Sequence, residues 1–171
     1  MGTILFYSSV NNIDDFKYSL FYRIDVEILK SLGYEVIVTN KIVRFIRYRS
    51  YDIGFLYFYR KSLIPAFFAR LARKRIYFTG GIDALSLCAS SRWQRIIQRL
   101  LFIGCYFAST KCIIVSKSDL ENIKRFWKND KKLILVPHAV EVSRYNPNRK
   151  KLDIITSICW MGSVENVKRK G

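Results

Sequence analysis

The sequence predicts an α/β chain built on a doubly wound parallel sheet, Rossmann-like in layout. Three observations predict it. Apolar runs of strand length alternate with stretches of helical period through most of the chain. The strand runs are apolar throughout, as expected where both faces of a sheet are covered. Between them lie segments long enough to hold a crossover helix, which parallel pairing requires.

Residues 3–8 are rich in β-formers and open the chain as a first strand. A helix is predicted over residues 14–32, where Phe16, Leu20, Ile24, Ile28 and Leu32 recur every four residues and Gly33 supplies the stop. Further strands are predicted over residues 35–39, 52–57, 75–79, 111–116 and 132–136, with helices over about 60–73, 92–109 and 117–128. Residues 41–49 are short and charged and receive no assignment. In a doubly wound sheet, ligands bind outside the carboxyl ends of the strands. That rule directs attention to the loops at 8–15, 80–91, 116–118 and 137–142.

The alternation stops after Pro137. Residues 143–151 are polar and basic and carry Pro147, the composition of a linker. Residues 152–171 begin a new apolar strand and end in a polar, basic stretch. The expected organisation is thus a Rossmann-like domain over 1–142, a linker over 143–151, and the first strand and loop of a second, truncated domain over 152–171.

Half of the 171 residues are hydrophobic and the net charge is +17. Such an excess attracts anionic partners, whether nucleic acid, acidic lipid or a phosphorylated substrate. Cys88, Cys105, Cys112 and Cys159 are scattered in apolar company without a CxxC pair, and His138 is the only histidine. This pattern excludes a usual zinc set and reads as reduced, buried thiols of a cytoplasmic protein. The start, Gly2-Thr3-Ile4-Leu5-Phe6-Tyr7, has neither the basic region nor the cleavage site of a signal peptide. Uncharged stretches such as 100–110 are too short to span a bilayer, so a membrane contact would be peripheral.

Several motifs occur in a telling order. Asp52-Ile53-Gly54-Phe55-Leu56-Tyr57 is followed by an apolar helix, then by a strand running into Gly80-Gly81-Ile82-Asp83. Cys112-Ile113-Ile114-Val115-Ser116 precedes a helix, and Leu133-Ile134-Leu135-Val136-Pro137-His138 leads to Arg144-Tyr145-Asn146-Pro147. Trp160-Met161-Gly162 and Arg169-Lys170-Gly171 close the chain. This series resembles the amino-terminal half, and the entry into the donor domain, of GT-B glycosyltransferases, most of all the retaining group called family 4. The sequence departs from that pattern at the first loop, which lacks a glycine pair, at Gly80 in place of His, at His138-Ala139 in place of Asn-Gly, and at Ser163 in place of Arg.

The resemblance implies an enzyme that transfers a sugar from a nucleotide-diphosphate sugar to a lipid-linked or surface-polysaccharide acceptor. It requires no metal and no cofactor. The carboxylates that bind the donor sugar would lie beyond Gly171, so the 171 residues alone are expected to be inactive. Gly80 and Gly81 are candidates for backbone approach to the acceptor, with a plain turn as the alternative. Asp83 is the candidate catalytic or acceptor-binding carboxylate, or a helix cap. Ser116 is an acceptor-site candidate or, preferably, the cap of the next helix. His138 stands at a strand end, where it suits substrate or interdomain contact. Gly162, Arg169 and Lys170 are placed at the donor phosphates.

The basic helices suggest a second partner. Arg60, Lys61, Arg70, Arg73, Lys74 and Arg75 surround a helix carrying Phe67 and Phe68, and Arg92, Arg95 and Arg99 share a face of a later helix opposite Ile96, Leu100 and Ile103. The expectation is that the apolar faces pack inward and the basic rims meet an anionic membrane at the cytoplasmic leaflet. The competing reading is a basic nucleic-acid-binding module. It fits the charge, but the cations are spread along nearly the whole chain and no RNA or DNA motif is present, so nucleic acid is not the expected partner.

Overall fold

The computed structural model describes residues 2–80 and 91–139. The chain divides into two units, Met1–Ala139 and Val140–Gly171. The expected linker, the strand after it, Gly162, Arg169 and Lys170 fall in the second unit, outside the described residues.

The first unit is a six-stranded sheet, all parallel, in the order β2-β1-β3-β4-β5-β6. Its strands are β1 (Thr3–Tyr7), β2 (Glu35–Thr39), β3 (Ile53–Tyr57), β4 (Arg75–Thr79), β5 (Lys111–Ile114) and β6 (Leu133–Leu135). The helices are α1 (Asp15–Tyr18), α2 (Leu20–Ser31), α3 (Ile42–Arg47), α4 (Leu63–Leu71), α5 (Arg92–Ala108) and α6 (Lys117–Phe126). From β1 the chain steps one way to β2, then crosses to β3 and continues the other way. Right-handed crossovers therefore place α2 on one face and the later helices on the other.

Strand alternation feeds both faces. Ile4, Phe6, Phe55 and Tyr57 pack with Phe16 and Tyr22 from α1 and α2. Leu5, Tyr7, Leu56, Ile76, Phe78, Cys112 and Ile114 pack with Phe45, Ala66, Ala69, Phe102, Cys105 and Ile123 from the other helices. The expected Rossmann-like parallel sheet is present, and the ranges predicted for β2 and β4 match residue for residue.

Three departures have physical causes. The predicted helix over 14–32 is two helices, because Ser19 is extended with φ −77° and ψ 116°. The row spaced by four also drifts around a helix by about 40° per step. Phe16 and Ile24 are accordingly buried, while Leu20, Ile28 and Leu32 are exposed. Residues left unassigned form α3, anchored by Phe45, which is buried against Tyr7 and Tyr51.

The larger correction concerns α4 and α5. On α4 the buried residues are Pro65, Ala66 and Ala69, while Ile64, Phe67, Phe68 and Leu71 are exposed. Small side chains let this helix lie close on the sheet, which turns its bulky stripe outward. On α5 the buried residues are Phe102, Cys105, Tyr106 and Ala108. The supposed core residues Ile96 and Leu100 are exposed, together with Trp93, Ile97 and Phe107, and only Ile103 is partly buried against the core. The apolar faces expected inside are largely outside.

Cys105 and Cys112 are free and buried, as expected of packing thiols. The Cys105 thiol donates to the Tyr59 carbonyl at 3.1 Å. Burial pushes the Cys105 thiol far above its ordinary range and Cys112 up to about 11, so neither is a nucleophile at neutral pH. Cys88 and Cys159 lie outside the described residues.

Candidate functional site

The strand order reverses between β1 and β3, and the crevice outside their carboxyl ends is where such sheets bind ligands. The sequence puts polar groups there. Ser8 follows β1 and is fully buried, its Oγ 2.7 Å from the Tyr22 hydroxyl of α2. Tyr57 ends β3, and its hydroxyl donates a hydrogen bond to Asp25 Oδ2, also on α2. The Tyr22 and Tyr57 rings meet edge to face at 4.7 Å, so the two polar pairs adjoin through their rings.

Asp25, Thr79, Val136, Pro137 and His138 line a cavity of about 180 Å³, floored by Phe55 and Ile113. The His138 ring is 6.0 Å from that of Phe21. This cavity joins the carboxyl edge of the sheet to a half-buried carboxylate. Burial raises the Asp25 carboxyl above the usual range, opposed by the Tyr57 hydrogen bond and by the nearby charge of His138. Burial and the adjacent Asp25 charge push the Tyr57 hydroxyl far up, so it stays protonated and donates to Asp25. The arrangement suits hydroxyl-bearing ligands: a carboxylate held in one orientation, with an apolar wall for a ring face.

Sequence reasoning named His138 but missed Asp25, Tyr57, Ser8 and Tyr22. The available signal was Asp25 itself, an acid on the same helical face as Tyr22 and Leu29. Gly80 is buried just past β4 with φ 107°, and a Cβ there would sit 3.1 Å from the Phe58 ring. Its conformation and close contact both call for glycine. Ser116 is the cap that the preferred reading gave it, since its Oγ accepts the Asp119 N–H at 3.0 Å. Gly81 and Asp83 lie outside the described residues. Among the described residues, no group of His, Cys, Asp or Glu is gathered so as to hold a metal ion.

The cations expected at a membrane surface bracket α4 at its ends. Arg60 and Lys61 are exposed before its first turn, and Arg70, Arg73 and Arg75 are exposed at or after its last. Lys74 is half-buried, its ammonium 5.2 Å above the Tyr51 ring. Another cation is structural: Lys132 Nζ donates to the carbonyls of Tyr106, Phe107 and Ser109 at 2.7–3.2 Å, closing the end of α5.

The described fold defines a Rossmann-like α/β domain with a polar site at its switch point. The structure is similar to that of Anabaena Alr3699/HepE in complex with UDP and glucose. The TM-score is 0.57 at 13% sequence identity, and the match covers 84% of this chain and 46% of that one. This chain thus spans less than half the length of that protein, and at such identity the likeness establishes the fold. No protein-family model matches the sequence, and no curated protein does.

Proposed function

We propose that this chain is the amino-terminal, acceptor-binding half of a nucleotide-sugar-dependent glycosyltransferase of the GT-B fold, retaining in mechanism, with a lipid-linked or surface-polysaccharide acceptor. The observation that carries the reading is the cavity lined by Asp25 and His138 beside the carboxyl ends of the strands, with Asp25 held by the Tyr57 hydroxyl. It lies in a sheet similar to one solved with UDP and glucose. In this reading Asp25, oriented by Tyr57, accepts hydrogen bonds from acceptor hydroxyls, and burial makes it a stronger proton acceptor than an ordinary carboxylate. His138 flanks the same cavity and contacts the saccharide. Gly80, Gly81 and Asp83 are assigned to the same acceptor side. Gly162, Arg169 and Lys170 meet the donor diphosphate, whose charge two cations offset without a metal.

Saturation-transfer NMR with a panel of saccharides and with UDP-glucose tests the reading. Saccharides should show contacts that Asp25→Asn weakens by about tenfold in affinity, the equivalent of one charge-assisted hydrogen bond. The 171-residue chain should turn over no nucleotide sugar, because donor and acceptor cannot be oriented together. Turnover by this chain, or saccharide binding untouched by Asp25→Asn, would overturn the assignment.

A further inference from the structure

We propose that the α4–α5 face seats this protein on an anionic lipid bilayer by inserting apolar side chains, with the cations serving as a rim. The inference extends the sequence-based expectation of a basic surface, whose apolar faces were to point inward. It does not depend on sugar transfer.

Each helix carries two opposed apolar stripes. One stripe of α4, Ala66 and Ala69, packs on the sheet, and the opposite stripe, Ile64, Phe67, Phe68 and Leu71, meets solvent. On α5, Phe102, Cys105 and Tyr106 are buried, while Trp93, Ile97, Leu100 and Phe107 face away, with Trp93 75% exposed. Burial on α5 begins only at Phe102, so its first turns carry apolar side chains that the described core does not cover. The outer stripe of α4 and the last turn of the α5 stripe, at Phe107, meet at a groove of about 610 Å³, lined by Leu63, Phe67, Phe68, Arg70, Gly104 and Phe107. Scattered exposed apolar residues need no explanation, but a contiguous surface on two adjacent helices does.

Charge selects the occupant. Between Asp52 and Asp119 the sequence has one acidic residue, Asp83, against Arg60, Arg70, Arg73, Arg92 and Arg99 among many cations. Neither α4 nor α5 contains an acid. A second copy of this chain would bring like charges together, which disfavours self-association. Nucleic acid would satisfy the cations but not an apolar groove. An anionic bilayer satisfies both: phosphates meet the arginines, and the aromatic and aliphatic side chains enter the headgroup–acyl boundary. No helix among the described residues is long and apolar enough to cross a membrane.

The test uses the 171-residue chain with vesicles of phosphatidylcholine alone or with added phosphatidylserine. Binding should require the anionic lipid and fall with salt. Phe67→Ser with Leu100→Ser should weaken it roughly 100-fold, about tenfold for each large apolar side chain, while leaving the salt slope unchanged. Arg70→Glu with Arg73→Glu should weaken it by at least about tenfold and flatten the slope. Trp93 emission should shift blue on binding, and Trp93→Phe should abolish that shift. Circular dichroism of each variant confirms folding. Three results overturn the proposal: no binding to anionic vesicles, a concentration-dependent dimer that the Phe67/Leu100 variant dissolves, or tight oligonucleotide binding that depends on the same residues.

Discussion

Removing one oxygen, by Tyr57→Phe, isolates the hydrogen bond that orients Asp25. The Tyr57 side chain is buried, and its ring packs against Phe6, Tyr22 and Phe21. Phenylalanine keeps those contacts and loses only the donor to Asp25. A hydrogen bond to an ionised acceptor is worth about 1.5–3 kcal/mol. Asp25 is only half-buried, so water partly replaces the lost donor and about 1.5 kcal/mol is expected. For a domain of this size that lowers the Tm by roughly 3–6 °C.

The sign with pH follows from Asp25. Its folded-state pKa lies above the unfolded value because burial penalises the charge. The stability tied to its protonated form is therefore complete below the unfolded pKa and lost as pH rises through the folded one. Without the Tyr57 donor the folded pKa rises further, so the variant's deficit should be larger at neutral pH than near pH 4. Asp25→Asn keeps an acceptor for Tyr57 and removes the charge, so it should be neutral or mildly stabilising at neutral pH. Urea unfolding of both single variants and the double variant at the two pH values measures the coupling. A Tyr57→Phe loss that is below about 0.5 kcal/mol and independent of pH would refute this account of the pair.

Three further outcomes are expected. Lys132→Met removes three hydrogen bonds to the last carbonyls of α5 and should cost about 1–2 kcal/mol in urea unfolding, since a charged group there also offsets the helix dipole. Gly80→Ala combines a left-handed φ of 107° with a Cβ 3.3 Å from the Phe58 backbone nitrogen, and should cost roughly 1–3 kcal/mol by the same measurement. Ser91→Ala breaks the capping box with Gln94 at the start of α5 and should cost about 1 kcal/mol, with faster amide exchange confined to the first turn of that helix.

The sheet was legible because a buried parallel strand is a continuous apolar run. Glu35–Thr39 and Arg75–Thr79 stand out between turn and charge on either side. What escaped depends on which face of an element turns inward. The bulky residues of α4 suggested a core face, but Ala66 and Ala69 occupy it, and close packing on a sheet favours small residues. On α2 the row spaced by four concealed the true inner face, which runs through Tyr22, Asp25 and Leu29. Asp25 therefore passed as one more surface acid. His138 was legible because the end of a predicted strand fixed its place, whereas Tyr57 read as another apolar strand residue until its partner was known.

The central claim is that the carboxyl edge of the sheet, at Asp25 and His138, is the saccharide-binding edge. Amide chemical-shift mapping of the isotopically labelled chain during titration with a saccharide that binds tests it most directly. The shifts should concentrate at Thr79, Val115 and His138 and at the α2 turn carrying Asp25, the residues around the cavity, and Asp25→Asn should remove them. Shifts confined to α4, α5 or the amino ends of the strands, with the Asp25 turn unmoved, would contradict it.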